Sequence, residues 1–267
     1  MRHADHEIRL NREMMHSGHL ILVNRDYPVA EHHQASLVPI ATIQQAGTEE
    51  QDIRLDQTGY RQLSALLEAC QAIDSIGIVS GYRTRAQQQH IYSTSLAAHG
   101  AAFTANYVAR PNESEHQTGL AVDVGQLLEE DVDYLCPSFP DHGVYALFKQ
   151  KAAEYGFIQR YKEGKQPVTN IACEPWHYRY VGVPHSIIME QYDMCLEEYI
   201  AYMEQFTFEG SHLYMKIKNR LIEMYMIKAE HDVTLIPIRR GSCYEWSGNN
   251  KDGFIVTICH DHEKGFQ

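Results

Sequence analysis

No run of basic residues occurs anywhere in this chain of 267, and 23 Lys and Arg against 35 Asp and Glu leave a formal charge of -12. That balance supplies neither the patch that neutralises a phosphate backbone nor the one that docks on an anionic membrane, so nucleic acid is excluded as an expected partner. Long apolar stretches are missing too. Leu20-Ile21-Leu22-Val23 falls far short of a signal core or a membrane span, and the polar start Met1-Arg2-His3-Ala4-Asp5-His6-Glu7 reads as no export signal. The six cysteines include no Cys-x-x-Cys pair, which removes the zinc ribbon and the thioredoxin-type motif. The expectation is a cytoplasmic protein with reduced thiols and no transmembrane segment; a trimmed, membrane-anchored ectodomain would read the same way, and an even cysteine count leaves disulfides open.

What remains is a soluble composition, 44% hydrophobic and 22% charged, enough for one full core with a small appendage. Gly18 to Val23 reads as a short buried strand ended by the turn formers Asn24-Arg25-Asp26-Tyr27-Pro28. Tyr60, Leu63, Leu66, Leu67 and Cys70 recur at helical steps within 56–72, with Asp56 or Thr58 as cap. Ile76 to Val79 reads as a strand running into Ser80-Gly81-Tyr82-Arg83, after which Thr84 caps a helix from Arg85 to about His99, closed by Gly100. In Leu120-Ala121-Val122-Asp123-Val124, a period of two puts Asp123 opposite the apolar face. Further helices are expected over 141–155 and 185–203, and a strand over 176–181 with His177 and Arg179 on one face. Beyond about Gln205, the strand-like runs 213–227, 233–238 and 254–258 are separated by turn-rich segments. The fold class is α+β, a small mixed, mainly antiparallel sheet flanked by helices, with residues 1–205 as the catalytic domain and 206–267 as a β-rich extension of unknown role.

Chemistry concentrates in two segments. Ser114-Glu115-His116-Gln117-Thr118-Gly119-Leu120-Ala121-Val122-Asp123 is followed some fifty residues later by Glu174-Pro175-Trp176-His177-Tyr178-Arg179-Tyr180-Val181-Gly182. A catalytic zinc takes three N or O ligands and keeps a fourth position for water, and His116, Asp123 and His177 meet that requirement. Gly119 allows the tight loop that would hang His116 over the strand face presenting Asp123. Glu174 lies three residues before His177, and a bend at Pro175 would turn its carboxylate to the same side, where it can act as base toward the water and then as acid toward the leaving amine. Arg83, at a strand end, is the fixed cation that a developing oxyanion needs.

Taken together, Ser-x-His-x-x-Gly-x-Ala-x-Asp at 114–123, Glu-Pro-Trp-His-Tyr-Arg-Tyr-Val-Gly at 174–182 and Ser-Gly-Tyr-Arg at 80–83 resemble the zinc D-Ala-D-Ala carboxypeptidases and dipeptidases of vancomycin resistance, the VanY and VanXY types. The likeness covers roughly the first 200 residues, Leu22-Val23-Asn24 included. It implies one Zn2+ per chain on His116, Asp123 and His177, Glu174 as base, Arg83 at the transition state, and substrate contacts from Ser114 and Gln88. It further implies removal of terminal D-Ala from peptidoglycan precursors, with glycopeptide resistance or wall remodelling as the outcome. A stem-peptide endopeptidase shares the metal motif, and a non-catalytic peptide-binding module stands as the alternative of another class.

Plainer readings apply elsewhere. Most of the sixteen histidines read as solvated, including His3, His6, His16, His19, His32, His33, His260 and His262. Cys259-His260-Asp261-His262 has ligand-type residues without a shell to orient them. Cys173 reads as a packed thiol, and Tyr178 and Tyr180 as core or groove wall. Arg83 alone has a salt bridge to Asp123 or Glu174 as its plain alternative.

Overall fold

The computed structural model describes residues 6–31, 33, 35–40, 53–127, 133–238 and 242–260. His3, His32, Asp261 and His262 lie outside the described residues. In chain order the elements are β1 (His6–Asn11), a 3-10 turn (Arg12–His16), β2 (Leu37–Pro39), β3 (Arg54–Asp56), α1 (Gln57–Ala69), β4 (Ile76–Ser80), α2 (Arg85–Tyr107), a 3-10 turn (Glu115–Thr118) and β5 (Ala121–Gln126). Then follow α3 (Gly143–Lys151), extended by a 3-10 turn (Ala152–Tyr155), β6 (Phe157–Gln159), α4 (Gln166–Thr169), β7 (His177–Tyr180), α5 (His185–Gln191) and α6 (Leu196–Met203). Five strands close the chain: β8 (Leu213–Ile217), β9 (Arg220–Lys228), β10 (Val233–Ile238), β11 (Cys243–Gly248) and β12 (Gly253–His260). The architecture is the α+β mixture that the pattern of elements predicts.

Two compact units emerge, one of Val23–Cys195 and one that joins Met1–Leu22 to Leu196–Gln267. Residues 6–22 therefore belong with the C-terminal strands, because β1 pairs antiparallel with β10 from His6↔Ile238 to Asn11↔Val233.

The larger unit is built on a four-stranded antiparallel sheet in the order β4-β5-β7-β6. Its helices start where the sequence supplies caps. The Asp56 carboxylate accepts from the Thr58 and Gly59 amides at 2.9 and 3.0 Å, so α1 begins there and buries Leu63, Leu66 and Leu67. Thr84 and Gln87 form a reciprocal capping box on α2. Gly100, at φ +80, kinks α2 at the position expected to end it, and the helix then resumes to Tyr107. Tyr178 of β7 packs edge-on against Phe139 and Phe148, and Tyr180 against Phe157, placing both tyrosines in the core.

The smaller unit holds a second antiparallel sheet, β11-β12-β9-β8, and the β1-β10 ribbon. Leu10, Tyr225, Ile236, Phe254 and Val256 form the centre of its apolar core. One acid interrupts it: Glu223 bonds His212, the Tyr214 hydroxyl at 3.0 Å and His260 Nε2 at 2.6 Å.

Three expectations about elements need correction. Residues 18–23 are buried at Leu20 to Val23 but form no strand, since the Leu20 amide goes to Ser247 Oγ and the Leu22 amide to the Asn249 carbonyl. The helix expected over 185–203 is two helices, separated where Asp193 takes φ +48. The run 213–227 is a hairpin of β8 and β9, reversing at Lys218 with φ +51.

Candidate metal centre and active site

The sheet brings the distant motifs together by register alone. Asp123 on β5 pairs with Ser80 of β4 on one side and with His177 of β7 on the other. Since side chains on neighbouring strands share a face when paired, the Asp123 carboxylate and the His177 imidazole meet, with Nδ1 at 2.9 Å from Oδ1. His116 arrives from the 3-10 turn before β5. Gly119 ends that turn at φ +75, and a Cβ there would stand 2.5 Å from Leu37 Cδ2, so both the backbone angle and the space require glycine. His116 Nε2 consequently reaches Asp123 Oδ2 at 3.2 Å.

The donor set suits a divalent metal. His116 Nδ1 lies 2.7 Å from the Gly81 carbonyl, an acceptor only, so Nδ1 carries the proton and Nε2 presents its lone pair toward Asp123. One ligand atom from each of His116, Asp123 and His177 falls within 4.8 Å of the others, and all three residues are buried. Two imidazole nitrogens and one carboxylate oxygen are a zinc-type set.

Charge is tightly coupled here. Burial pushes the His116 pKa down, aided by the Arg83 charge, to about 4. Burial acts the same way on His177, but the hydrogen bond to Asp123 and the nearby carboxylates of Glu115 and Glu174 outweigh it and lift the value to about 9. Burial would raise Asp123, yet the two histidines hold it well below the usual carboxylate range. Glu174 goes the other way: burial raises it to about 8, against the partial offset of His177.

Glu174 precedes a turn at 175–176, so β7 begins at His177 rather than at Trp176. The turn carries the Glu174 carboxylate to 3.8 Å from His177 Nδ1, the side that a bend at Pro175 predicts. Arg83 donates from Nε to Ser80 Oγ at 2.9 Å and from Nη2 to Asp123 Oδ2 at 2.8 Å. Ser114 and Gln88 are both buried. Gln88 Nε2 donates to the Ala109 carbonyl at 2.8 Å, while its Oε1 has no hydrogen-bond partner among the described residues. All seven sequence-selected residues line a single open concavity. A groove of about 1860 Å³ shares Arg83, Ile91, Tyr134 and Leu135 with it. Cys173 lies outside this lining, and burial raises its thiol pKa, as a packed thiol requires.

Behind the cluster stands a feature that motif reading passed over. Glu115, Arg160 and Arg179 are completely enclosed, with Glu115 Oε1 accepting from Arg160 Nε at 2.8 Å and Arg179 Nη1 at 2.7 Å. Burial works against the Glu115 charge, but the two guanidiniums hold its pKa far below the usual range. Alternation along β7 already put Arg179 on the His177 face, and a cation on an inward face calls for an acid; nothing comparable marks Arg160.

Two imidazoles and a carboxylate converging in a pocket, beside a buried acid and an arginine, define the site of a metal-dependent hydrolase. The VanY family model, D-alanyl-D-alanine carboxypeptidase, matches residues 52–183. The bifunctional D-Ala-D-Ala dipeptidase and D-Ala-D-Ala carboxypeptidase VanXYC of Enterococcus gallinarum is 39% identical over 186 residues, which span 70% of this chain and 95% of that protein. The structure of the vancomycin-resistance D,D-dipeptidase VanXYg, solved with a D-Ala-D-Ala phosphinate analog, aligns at a TM-score of 0.89 and 39% identity over 96% of this chain and 99% of the other. A mutant of the D,D-pentapeptidase VanY from a VanB-type cassette, solved with Zn(II), aligns at 0.55 and 31% identity over 68% of this chain and 98% of its own. The chain belongs to the vancomycin-resistance D-Ala-D-Ala peptidase family, and it is a metallopeptidase. Among the described residues no helix is long and apolar enough to cross a membrane.

Proposed function

We propose that this chain removes the terminal D-Ala from peptidoglycan precursors ending in D-Ala-D-Ala, acting both as a D,D-carboxypeptidase and as a D,D-dipeptidase, with glycopeptide resistance as the consequence. The observation that carries the reading is the joint placement of Glu174 and Arg83 against the His116, Asp123 and His177 cluster. Those three residues would hold one zinc per chain, which would supply Lewis acidity toward the scissile carbonyl and a water.

The remaining chemistry belongs to the protein. Glu174 takes the proton of the attacking water and returns it to the leaving amine. Burial raises its carboxyl pKa to about 8, and a bound cation beside it would favour the ionised form that a base needs. Arg83, held by Ser80 and Asp123, offers a fixed guanidinium to the oxyanion. Ser114 and Gln88 bind the D-Ala-D-Ala end, a role supported for Gln88 by the unpartnered Oε1 at the pocket wall. The adjoining groove gives a longer stem peptide somewhere to lie, which favours carboxypeptidase activity beside the dipeptidase. The cytoplasm, where such precursors are soluble, is the compartment that this reading favours.

Purified zinc-loaded protein incubated with D-Ala-D-Ala, and separately with a pentapeptide ending in D-Ala-D-Ala, should release D-Ala from both, and chelator should stop both. Release from the pentapeptide alone would remove the dipeptidase half of the proposal. Cleavage confined to internal stem-peptide bonds would replace it with an endopeptidase.

A further inference from the structure

Glu115 has no task in the proposed reaction, although it is an acid set directly behind a proposed ligand. Its Oε1 is pinned by the two arginines, while its Oε2 has no hydrogen-bond partner among the described residues. That oxygen faces His177 Nε2 at 3.7 Å, and among the described residues His177 Nε2 has no hydrogen-bond partner either. Two unsatisfied buried atoms, one an acceptor and one able to donate, thus stand opposite each other just beyond bonding distance, which buried polar groups rarely do without a purpose.

We infer that Glu115 is a positioning residue for the metal: it receives the Nε2 proton of His177 and so turns the Nδ1 lone pair toward Asp123 and the cluster. The inference rests on the reading of His177 as a ligand. A ring with two nitrogens can present either one, and the choice is set by what the other nitrogen bonds. His116 is fixed in this way by the Gly81 carbonyl, and Glu115 does the same for His177 with a charged acceptor. The arginines complete the device. Their donors occupy Oε1 and fix the carboxylate plane, which leaves Oε2 aimed at the ring.

The test compares wild type, Glu115→Gln and Glu115→Asp in three measurements: zinc affinity by competition with a chromophoric chelator, the His177 imidazole in a long-range proton–nitrogen NMR spectrum of the zinc-loaded protein, and thermal unfolding without metal. Wild type should show a slowly exchanging, downfield proton on His177 Nε2. Glu115→Gln should bind zinc roughly 10- to 100-fold more weakly and shift that proton upfield. Glu115→Asp, which keeps the charge but withdraws it by one methylene, should fall between and serves if the glutamine variant does not fold. Wild-type zinc affinity and an unmoved His177 signal in a folded variant, with only thermal stability reduced, would assign Glu115 to packing and overturn the inference, as would a wild-type spectrum with the proton on Nδ1. His177→Ala, measured in parallel, separates the two levels: if it keeps zinc, the ligand assignment itself fails.

Discussion

Both units bury an apolar core beside an antiparallel sheet, but the larger one adds a dense cluster of buried charged side chains. In the smaller one, the interior is Leu10, Tyr225, Ile236, Phe254 and Val256, with Glu223 satisfied by two histidines and a tyrosine. In the larger one, one sheet face carries Asp123, His177 and Arg179, and Glu115, His116, Arg160 and Glu174 are buried with them. Enclosing so many charges contributes little to stability and is costly wherever a partner is missing. A fold tolerates that arrangement where chemistry needs low dielectric and fixed orientation. Stability is therefore expected to reside in apolar burial in both units, and turnover in the buried charges of one.

The largest effect expected is on the reaction. Glu174→Gln should lower kcat by roughly a hundred- to ten-thousand-fold while zinc content, measured by elemental analysis, stays at the wild-type level. Phe254→Ala should do the reverse, destabilising the smaller unit by about 3–5 kcal/mol in denaturant titration while leaving kcat/KM unaltered at temperatures where the protein is folded. A parallel fall in turnover would show that the β unit takes part in catalysis. If Arg83 serves the oxyanion as proposed, Arg83→Ala should cost about 3 kcal/mol of transition-state stabilisation, which steady-state kinetics would register as a loss in kcat of about a hundredfold with zinc retained. Gln88→Ala should raise KM for D-Ala-D-Ala by about tenfold with little change in kcat, and a kcat effect instead would move Gln88 from binding to chemistry.

The smallest effect is on pH dependence of the metal-free chain. Glu174 has a folded-state pKa of about 8 against an ordinary value of 4.5, so the unfolded chain ionises first. The contribution of this group to stability is complete below the unfolded value and is lost as pH rises through about 8. Glu174→Gln should therefore flatten the decline in melting temperature between about pH 5 and about pH 8. An identical decline in both proteins would assign it to other groups.

That the candidate site residues would cluster was more legible in the sequence than the strand pairing was. His116, Asp123, Glu174, His177 and Arg83 sit in short segments whose chemistry is recognisable from residue types and spacing alone, and the strand alternation at 120–124 already turned Asp123 away from the apolar face. The ribbon β1-β10 was invisible, because it joins residues more than two hundred positions apart and its first strand, His6–Asn11, has one buried residue, Leu10. Residues 20–23 misled in the opposite direction: their apolar side chains are buried, but the partners of their backbone are a serine hydroxyl and an asparagine carbonyl in another segment. Hairpin and helix breaks at Lys218 and Asp193 were missed because neither left-handed position carries the glycine that usually signals one. Glu115 was overlooked between two motif residues, although the inward-facing Arg179 called for an acid; its second partner, Arg160, carries no sequence mark.

The most direct test of the central claim measures zinc per chain and D-Ala release from D-Ala-D-Ala together, in wild type and in His116→Ala, Asp123→Ala and His177→Ala. The account predicts about one zinc and chelator-sensitive release in wild type, with both lost in each variant that remains folded. Folded variants that keep their zinc and continue to release D-Ala would contradict it.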